Sequence, residues 1–230
     1  MISEVFHEIL YRPLFNALIL LYQFLPFHDL GVAIILLTFL IRIVLYPLST
    51  SSLKAQKKIS NLQPKINEIQ KKIKDSKEKT EAILKLYQKE KINPFGGILP
   101  LLLQIPILIA LYRVFFQVQE IDPALLYGFV LNPGNLNPNF LGILNLINAS
   151  LPLAILAGIL QFIQAKAIST KSTGADSDVS KMIQKQSLYI FPLLTFFILS
   201  RLPSAVGLYW ITTIIFSLGE QRIIFKDTKT

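Results

Sequence analysis

Residues Leu30 to Leu48 form a 19-residue run whose only charge is Arg42. At 1.5 Å per residue the run makes about 28 Å of helix, close to the thickness of a bilayer's hydrocarbon core. Placing a guanidinium at that depth costs roughly 2.5–3.5 kcal/mol on insertion scales, so a helix that keeps one needs a compensating interaction. The rest of the chain has the same oily character. Of its 230 residues 52% are hydrophobic and only 16% charged, against the quarter or so usual in soluble domains, and the mean hydropathy is +0.51. The expected fold class is all-α: a polytopic membrane protein of five transmembrane helices, with an N-terminal interfacial helix and a cytoplasmic helical hairpin.

The five spans are expected at 29–48, 95–117, 141–165, 186–201 and 203–219. Ahead of them, Ile9 to Phe27 is apolar but interrupted by Arg12, Pro13, Asn16, Gln23 and Pro26, which suits an amphipathic helix in the interface over residues 1–28. The start carries Glu4 and Glu8 and no small-residue cleavage site, so it is expected to be retained. Orientation follows from lysine. The segment 49–94 holds twelve of the 23 basic residues, all lysines, against five of the 14 acidic ones. Together with the loop 166–185 and the short tail 220–230 it should be cytoplasmic, whereas 118–140, with only Glu120 and Asp122, should be an external loop. The N-terminus then faces outside and the C-terminus the cytoplasm. Arg113 and Arg201 fall at outer ends, a small cost against the same rule.

In the lysine-rich insert, Ile59, Leu62, Ile66, Ile69 and Ile73 recur at steps of 3, 4, 3 and 4, the seam of two packed helices. Asp75, with Glu78 three residues on, caps a second helix whose Ile83, Leu86 and Tyr87 face that seam. Ser49-Thr50 and Asn93-Pro94 would join this hairpin to the spans. Its lysines suit anionic headgroups, with a protein-contact role in addition.

Around Arg42, Thr38, Tyr46 and Ser49 share one helical face. Similar polar stripes occur in the other spans: Gln104 and Tyr112 in the second, Asn145, Asn148, Gln161 and Gln164 in the third, and Trp210, Thr213 and Ser217 in the fifth. Such side chains either join helices by hydrogen bonds or line a wet cavity. Arg42 itself could snorkel, since Leu48 lies about 9 Å further along the helix. None of the 14 carboxylates falls in the membrane core, however; Glu220 and Asp29, at span ends, come nearest. A cation with no internal partner needs water or an external anion, which implies a groove that receives something acidic.

Several chemistries are excluded. With no cysteine there is no thiolate metal site or cysteine nucleophile, and no G-x-x-x-x-G-K-[ST] loop is present for nucleotide. His7 and His28 lie outside the spans, and no membrane aspartate pair or H-E-x-x-H occurs, which argues against an intramembrane protease. No catalytic residue, metal or cofactor is expected. A small anion transporter using Arg42 as its binding charge is the alternative, although no internal repeat or paired broken helix supports it.

Four stretches, "ILYRPLFNALILLYQFLPFHDLGVAIILLTFLIRIVLYPLS", "LQPKINEIQKKIK", "INPFGGILPLLLQIPILIALYRVF" and "FPLLTFFILSRLPSAVGLYW", resemble in order and spacing the YidC-type membrane protein insertases, which include mitochondrial oxidase-assembly and chloroplast relatives. The likeness covers almost the whole chain. It implies that Arg42 sits in a hydrophilic groove closed on the outer side and open to cytoplasm and lipid. Gln104, Gln161, Gln164 and Trp210, with Thr38 and Tyr46 on the arginine's face, are then expected to line it. The implied partners are client membrane proteins and the bilayer, with the ribosome and the Sec translocon beyond them; the implied location is the bacterial plasma membrane, and the implied working unit a monomer. Ile98 stands where a cysteine is frequent, and Ser204-Ala205 where alanine and glycine are usual. The short tail speaks against autonomous ribosome docking, and the resemblance is to a minimal five-span form.

Overall fold

The computed structural model describes residues 2–73, 75–91, 99–169 and 178–226. The chain begins with α1 (Ile2–Phe6), a π-helical turn (His7–Tyr11) and α2 (Arg12–Phe24). Next come α3 (Leu30–Lys72), α4 (Ser76–Lys89) and α5 (Leu99–Gln117). A two-stranded antiparallel hairpin of β1 (Asn139–Phe140) and β2 (Leu144–Asn145) precedes α6 (Leu151–Ser169), α7 (Asp178–Leu199) and α8 (Ser204–Lys226). The α3 helix carries an apolar stretch long enough to cross a membrane, and shorter apolar helical stretches are Leu103–Gln117, Leu151–Ala167 and Leu188–Leu199.

The polar interruptions of the first segment are its docking points. Arg12 Nε and Asn16 Nδ2 donate to the Leu125 carbonyl at 3.2 and 2.9 Å, Asn16 Oδ1 accepts from Tyr127 N at 2.7 Å, and Gln23 Nε2 donates to Leu131 O at 2.6 Å. These bonds fasten the 118–140 segment along α2. Phe15, Leu18 and Ile19 are fully buried, in one core with Ala33, Ile34, Leu111 and Val114. Pro13 has no N–H and would press on the carbonyl one turn back; the π turn just ahead widens the helix where that clash would fall.

Asp29 sets the start of α3 twice over. Its Oδ1 caps Val32 N at 3.0 Å and its Oδ2 accepts from Leu141 N at 2.7 Å, at the tip of the β-hairpin. That tip places Leu141 at φ 51° and Gly142 at φ 70°. Helix α6 starts at Leu151, later than the 141 expected for the third span. Asn145 pairs with Asn139 across the hairpin and its side chain caps Ile147 N at 2.9 Å, so Asn145 and Asn148 belong to a loop lid and to no helical stripe. Ser204 N and Oγ both donate to Asn148 O, at 2.9 and 2.6 Å, which ties this lid to the start of α8.

A second correction concerns Ser49-Thr50, expected as a joint between span and insert. The α3 helix passes through both without a break and runs 43 residues, with Pro47 and Pro64 inside it. Asp75 then accepts from Lys77 N and Glu78 N, starting α4. Leu62 and Ile66 are buried on the expected seam, and Ile83, Leu86 and Tyr87 form the half-buried face of α4. Lys65 Nζ lies 2.9 Å from Glu90 and holds that carboxyl below the usual carboxylate range. The expected joint at Asn93-Pro94, the first residues of the expected second span, residues 170–177 of the expected 166–185 loop and the end of the tail lie outside the described residues; the rest of that expected loop is helical, belonging to α6 and α7.

The buried apolar core is concentrated at the end of the molecule that carries the 118–150 loops: α2, the first turns of α3, the later half of α5 and the first turns of α6 and α8. Arg113 there places its guanidinium 5.6 Å from the centre of the Phe6 ring, a favourable position for a cation at that end. Toward the end that carries α4 the packing changes character and polar side chains face one another.

Candidate functional site

Between α3, α5, α6 and α8 lies a cavity of about 270 Å³, lined by Arg42, Gln104, Gln161, Gln164, Trp210 and Thr213, and nearer the α4 end by Ser49, Ser52, Gln56, Ser217 and Gln221. The lining positions on α3, from 42 through 49 and 52 to 56, and on α8, 210, 213, 217 and 221, recur at three- and four-residue steps or their sum. Each helix therefore turns one continuous polar stripe inward. No glycine or kink is needed, because helical periodicity alone brings these residues to one side.

Arg42 is half-buried. Its Nη2 donates to Gln104 Oε1 at 3.3 Å, and Gln104 Nε2 in turn donates to the buried Tyr209 hydroxyl. Arg42 Nε is buried with no partner, and among the described residues no carboxylate lies within salt-bridge distance of the guanidinium. A neutral amide thus meets a full charge from one side only. On the facing wall Trp210 Nε1 donates to Gln161 Oε1 at 3.2 Å and Gln161 Nε2 to Gln164 Oε1 at 3.1 Å. That wall satisfies itself, whereas the arginine is left with donor capacity to spare.

Of the residues picked out from sequence, Arg42, Gln104, Gln161, Gln164 and Trp210 are brought together here, with Thr213 and Ser217. Thr38 is not. It is buried, and its hydroxyl bonds back to the Ile34 carbonyl at 2.6 Å, the usual recourse of a threonine inside a packed helix. Tyr46 points outward, 40% exposed, and Tyr112, also on the outside, packs against Phe116. A residue four positions from another overlies it only approximately, so the packing of neighbouring helices decides which edge of a stripe faces inward. Tyr209, Ser52, Gln56 and Gln221 are missing from the expectation. Tyr209 sits beside Trp210 in an apolar run and looks like core; the other three lie beyond the boundaries drawn for the first and fifth spans, although the stripe spacing runs straight on to them.

A mostly helical chain with a membrane-length apolar stretch and a cavity around an arginine that has no carboxylate partner among the described residues has the make-up of a helical membrane protein. More specifically, the chain belongs to the 60Kd inner membrane protein family, whose sequence pattern matches residues 20–230. It is 30% identical over 197 residues to the membrane protein insertase YidC of Haemophilus influenzae, an alignment covering 85% of this chain and 33% of that protein. With the membrane protein insertase YidC of Rickettsia bellii it shares 28% identity over 223 residues, 96% of this chain and 39% of the relative. A solved structure described as an active YidC insertase with its first transmembrane domain resolved superposes with a TM-score of 0.63 at 27% identity, covering 96% of this chain and 47% of that one. The chain therefore spans a third to a half of the length of these relatives.

Proposed function

We propose that this chain is a membrane protein insertase and chaperone. It receives the acidic or polar tail of a client membrane protein in the cavity around Arg42 and passes the client's apolar segment into the lipid, without covalent chemistry. The carrying observation is the arginine itself: half-buried, lining the cavity, held on one side by a neutral glutamine, with its Nε buried without a partner. In this reading α3 and α5 to α8 supply five spans, α2 lies toward the outer interface, and the α3–α4 hairpin and both basic loops face the cytoplasm. Burial of client apolar surface, at about 25 cal/mol per Å², supplies the drive, and the membrane potential assists acidic tails moving outward. The names of the relatives and the superposed insertase support this reading. The chain would act as a monomer, alone or beside the Sec translocon, with the ribosome as a further partner that its short tail would not hold by itself. An anion transporter is the second reading, favoured only by the same unpaired charge.

The test is insertion of a short single-span client by purified protein in liposomes. Hydrogen bonds to a charged group contribute about 1.5–3 kcal/mol, so Arg42→Ala should slow insertion of acidic-tailed clients roughly ten- to hundred-fold, with Arg42→Lys retaining much of the rate. Clients without acidic residues in the tail should lose less. Equal insertion of acidic-tailed clients by Arg42→Ala and the unmodified protein would remove the charge from the mechanism, and anion flux without client insertion would select the transporter.

A further inference from the structure

The cavity has a second end that the arginine does not explain. Seven positions along α3 from Arg42, Ser49 Oγ donates to Glu220 Oε2 at 2.8 Å. Glu220 is only 3% exposed, its other oxygen, Oε1, has no donor, and among the described residues no cation stands within salt-bridge distance. Beside it, Ser52 and Gln221 both line the cavity and both are 4% exposed. Ser52 Oγ and Gln221 Oε1 are buried without partners too. One turn further toward α4, Lys57 Nζ is held at 3.4 Å by the Ile224 carbonyl.

Buried acceptors without donors cost free energy, and a carboxylate among them costs the most. Three on adjacent turns of α3 and α8 make a place shaped for a donor-rich cation. The deep end of the cavity is the reverse, a guanidinium with an idle N–H. The cavity is therefore polarised along its length, positive at Arg42 and acceptor-rich at Ser49, Ser52 and Gln221, with the Glu220 carboxylate buried directly behind Ser49.

We propose that this shallow end is a second subsite, which takes a lysine or arginine side chain of the inserting segment, so that the cavity reads an acidic and a basic residue in a fixed order and spacing. The proposal rests on the insertase reading above. Ser49 and Ser52 lie seven and ten positions from Arg42 on one helix, about 10–15 Å at 1.5 Å per residue, a span that roughly three to five residues of extended chain would bridge. Acid deep and base shallow matches the two ends; base deep and acid shallow would set like charges against Arg42 and Glu220.

The decisive experiment uses the unmodified protein in vesicles of phosphatidylcholine and phosphatidylglycerol, which carry no primary ammonium headgroup. The probes are single-span clients with one aspartate in the tail and one lysine moved along it. Insertion should peak when the lysine lies three to five residues from the aspartate on the trailing side, at least about fivefold above a client with glutamine there, and the reversed pair should show no such gain. Glu220→Gln, which keeps an acceptor for Ser49, should collapse that ratio, and so should Ser52→Ala in part, while Glu220→Lys should shift the preference to a glutamate at the same place. A flat profile along the tail, or a ratio untouched by all three variants, overturns the subsite and leaves the insertase reading standing. Failure of the unmodified protein to insert any of these clients overturns the insertase reading itself.

Discussion

Asn16 illustrates what one polar side chain does in an apolar helix. It is 2% exposed and satisfies three groups at once: the Arg12 carbonyl on its own helix, the Leu125 carbonyl and the Tyr127 N–H. Replacing it by leucine fills the same space but strands the Tyr127 N–H, at about 1–3 kcal/mol for a buried group left unpaired, while the Leu125 carbonyl keeps only its bond from Arg12. Asn16→Leu should therefore lower the melting temperature in detergent and loosen the 118–140 segment, seen as faster amide exchange there. Gly31 shows the opposite constraint, a lack of space. A Cβ at this position would come within 2.5 Å of Cγ and 2.7 Å of Cβ of Phe140 on β1, distances at which something must shift. Gly31→Ala should destabilise by about 1–3 kcal/mol, the usual cost of overpacking, read as a reduced melting temperature with the cavity end unaltered. An unchanged midpoint would mean that the β-hairpin is not held against α3.

Among the elements, α3 carries the most consequence, because a single helix holds Arg42 in the cavity and Leu62 and Ile66 in the seam with α4. The hairpin is thereby linked to the arginine by one continuous helix. Deleting residues 54–91 should leave a folded core with impaired insertion; full insertion after the deletion would reduce the lysine-rich hairpin to a lipid-touching surface. Ala55→Pro removes one backbone bond and places a ring against the preceding turn, a penalty of about 3 kcal/mol in a helix interior. It should reproduce part of the deletion's loss without changing expression. The Lys65–Glu90 pair adds a pH signature. The carboxyl is lowered in the folded hairpin from its ordinary 4.5, first by the hydrogen bond from Lys65, so the contribution is present above 4.5 and fades as pH falls through the lower folded value. Helicity of the hairpin, followed by circular dichroism, should be level from neutral pH down to about 5 and change only below that.

At the scale of the whole molecule the asymmetry is between a dry, loop-sealed end and a polar end that opens toward α4. The absence of cysteine makes the proposed topology directly testable with single introduced cysteines. A label at Ser76 should react from the cytoplasmic side and one at Asn135 from outside, in sealed vesicles of known orientation. Reaction of position 135 only from inside would overturn the five-span arrangement. Protection of the first residues would turn α1 and α2 from an interfacial helix into a sixth span. Much of this architecture is legible along the chain. The apolar run around Arg42, the seam at Leu62 and Ile66 and the cap at Asp75 each depend on neighbours within one or two helical turns, which sequence spacing displays directly. The later start of α6 is less legible, because "LGILNLINAS" is as apolar as a span, and only its pairing back onto Asn139–Phe140 and the caps made by Asn145 take it out of the helix.

Local sequence thus determined helix, seam, cap and the presence of a charge in oil, since each of these arises from contacts a few residues apart. Tertiary structure decided which edge of each polar stripe turns inward: Thr38 goes to the packed side and Tyr46 outward, while Gln104, Gln161 and Trp210, on three different helices, converge on one cavity. It also decided that Glu220, at the end of its stripe, is buried behind Ser49 and not left in water. The rotation of a helix about its own axis is set by the shapes it packs against, and those shapes come from residues far away along the chain, 49 positions from Gln161 to Trp210 and 171 from Ser49 to Glu220.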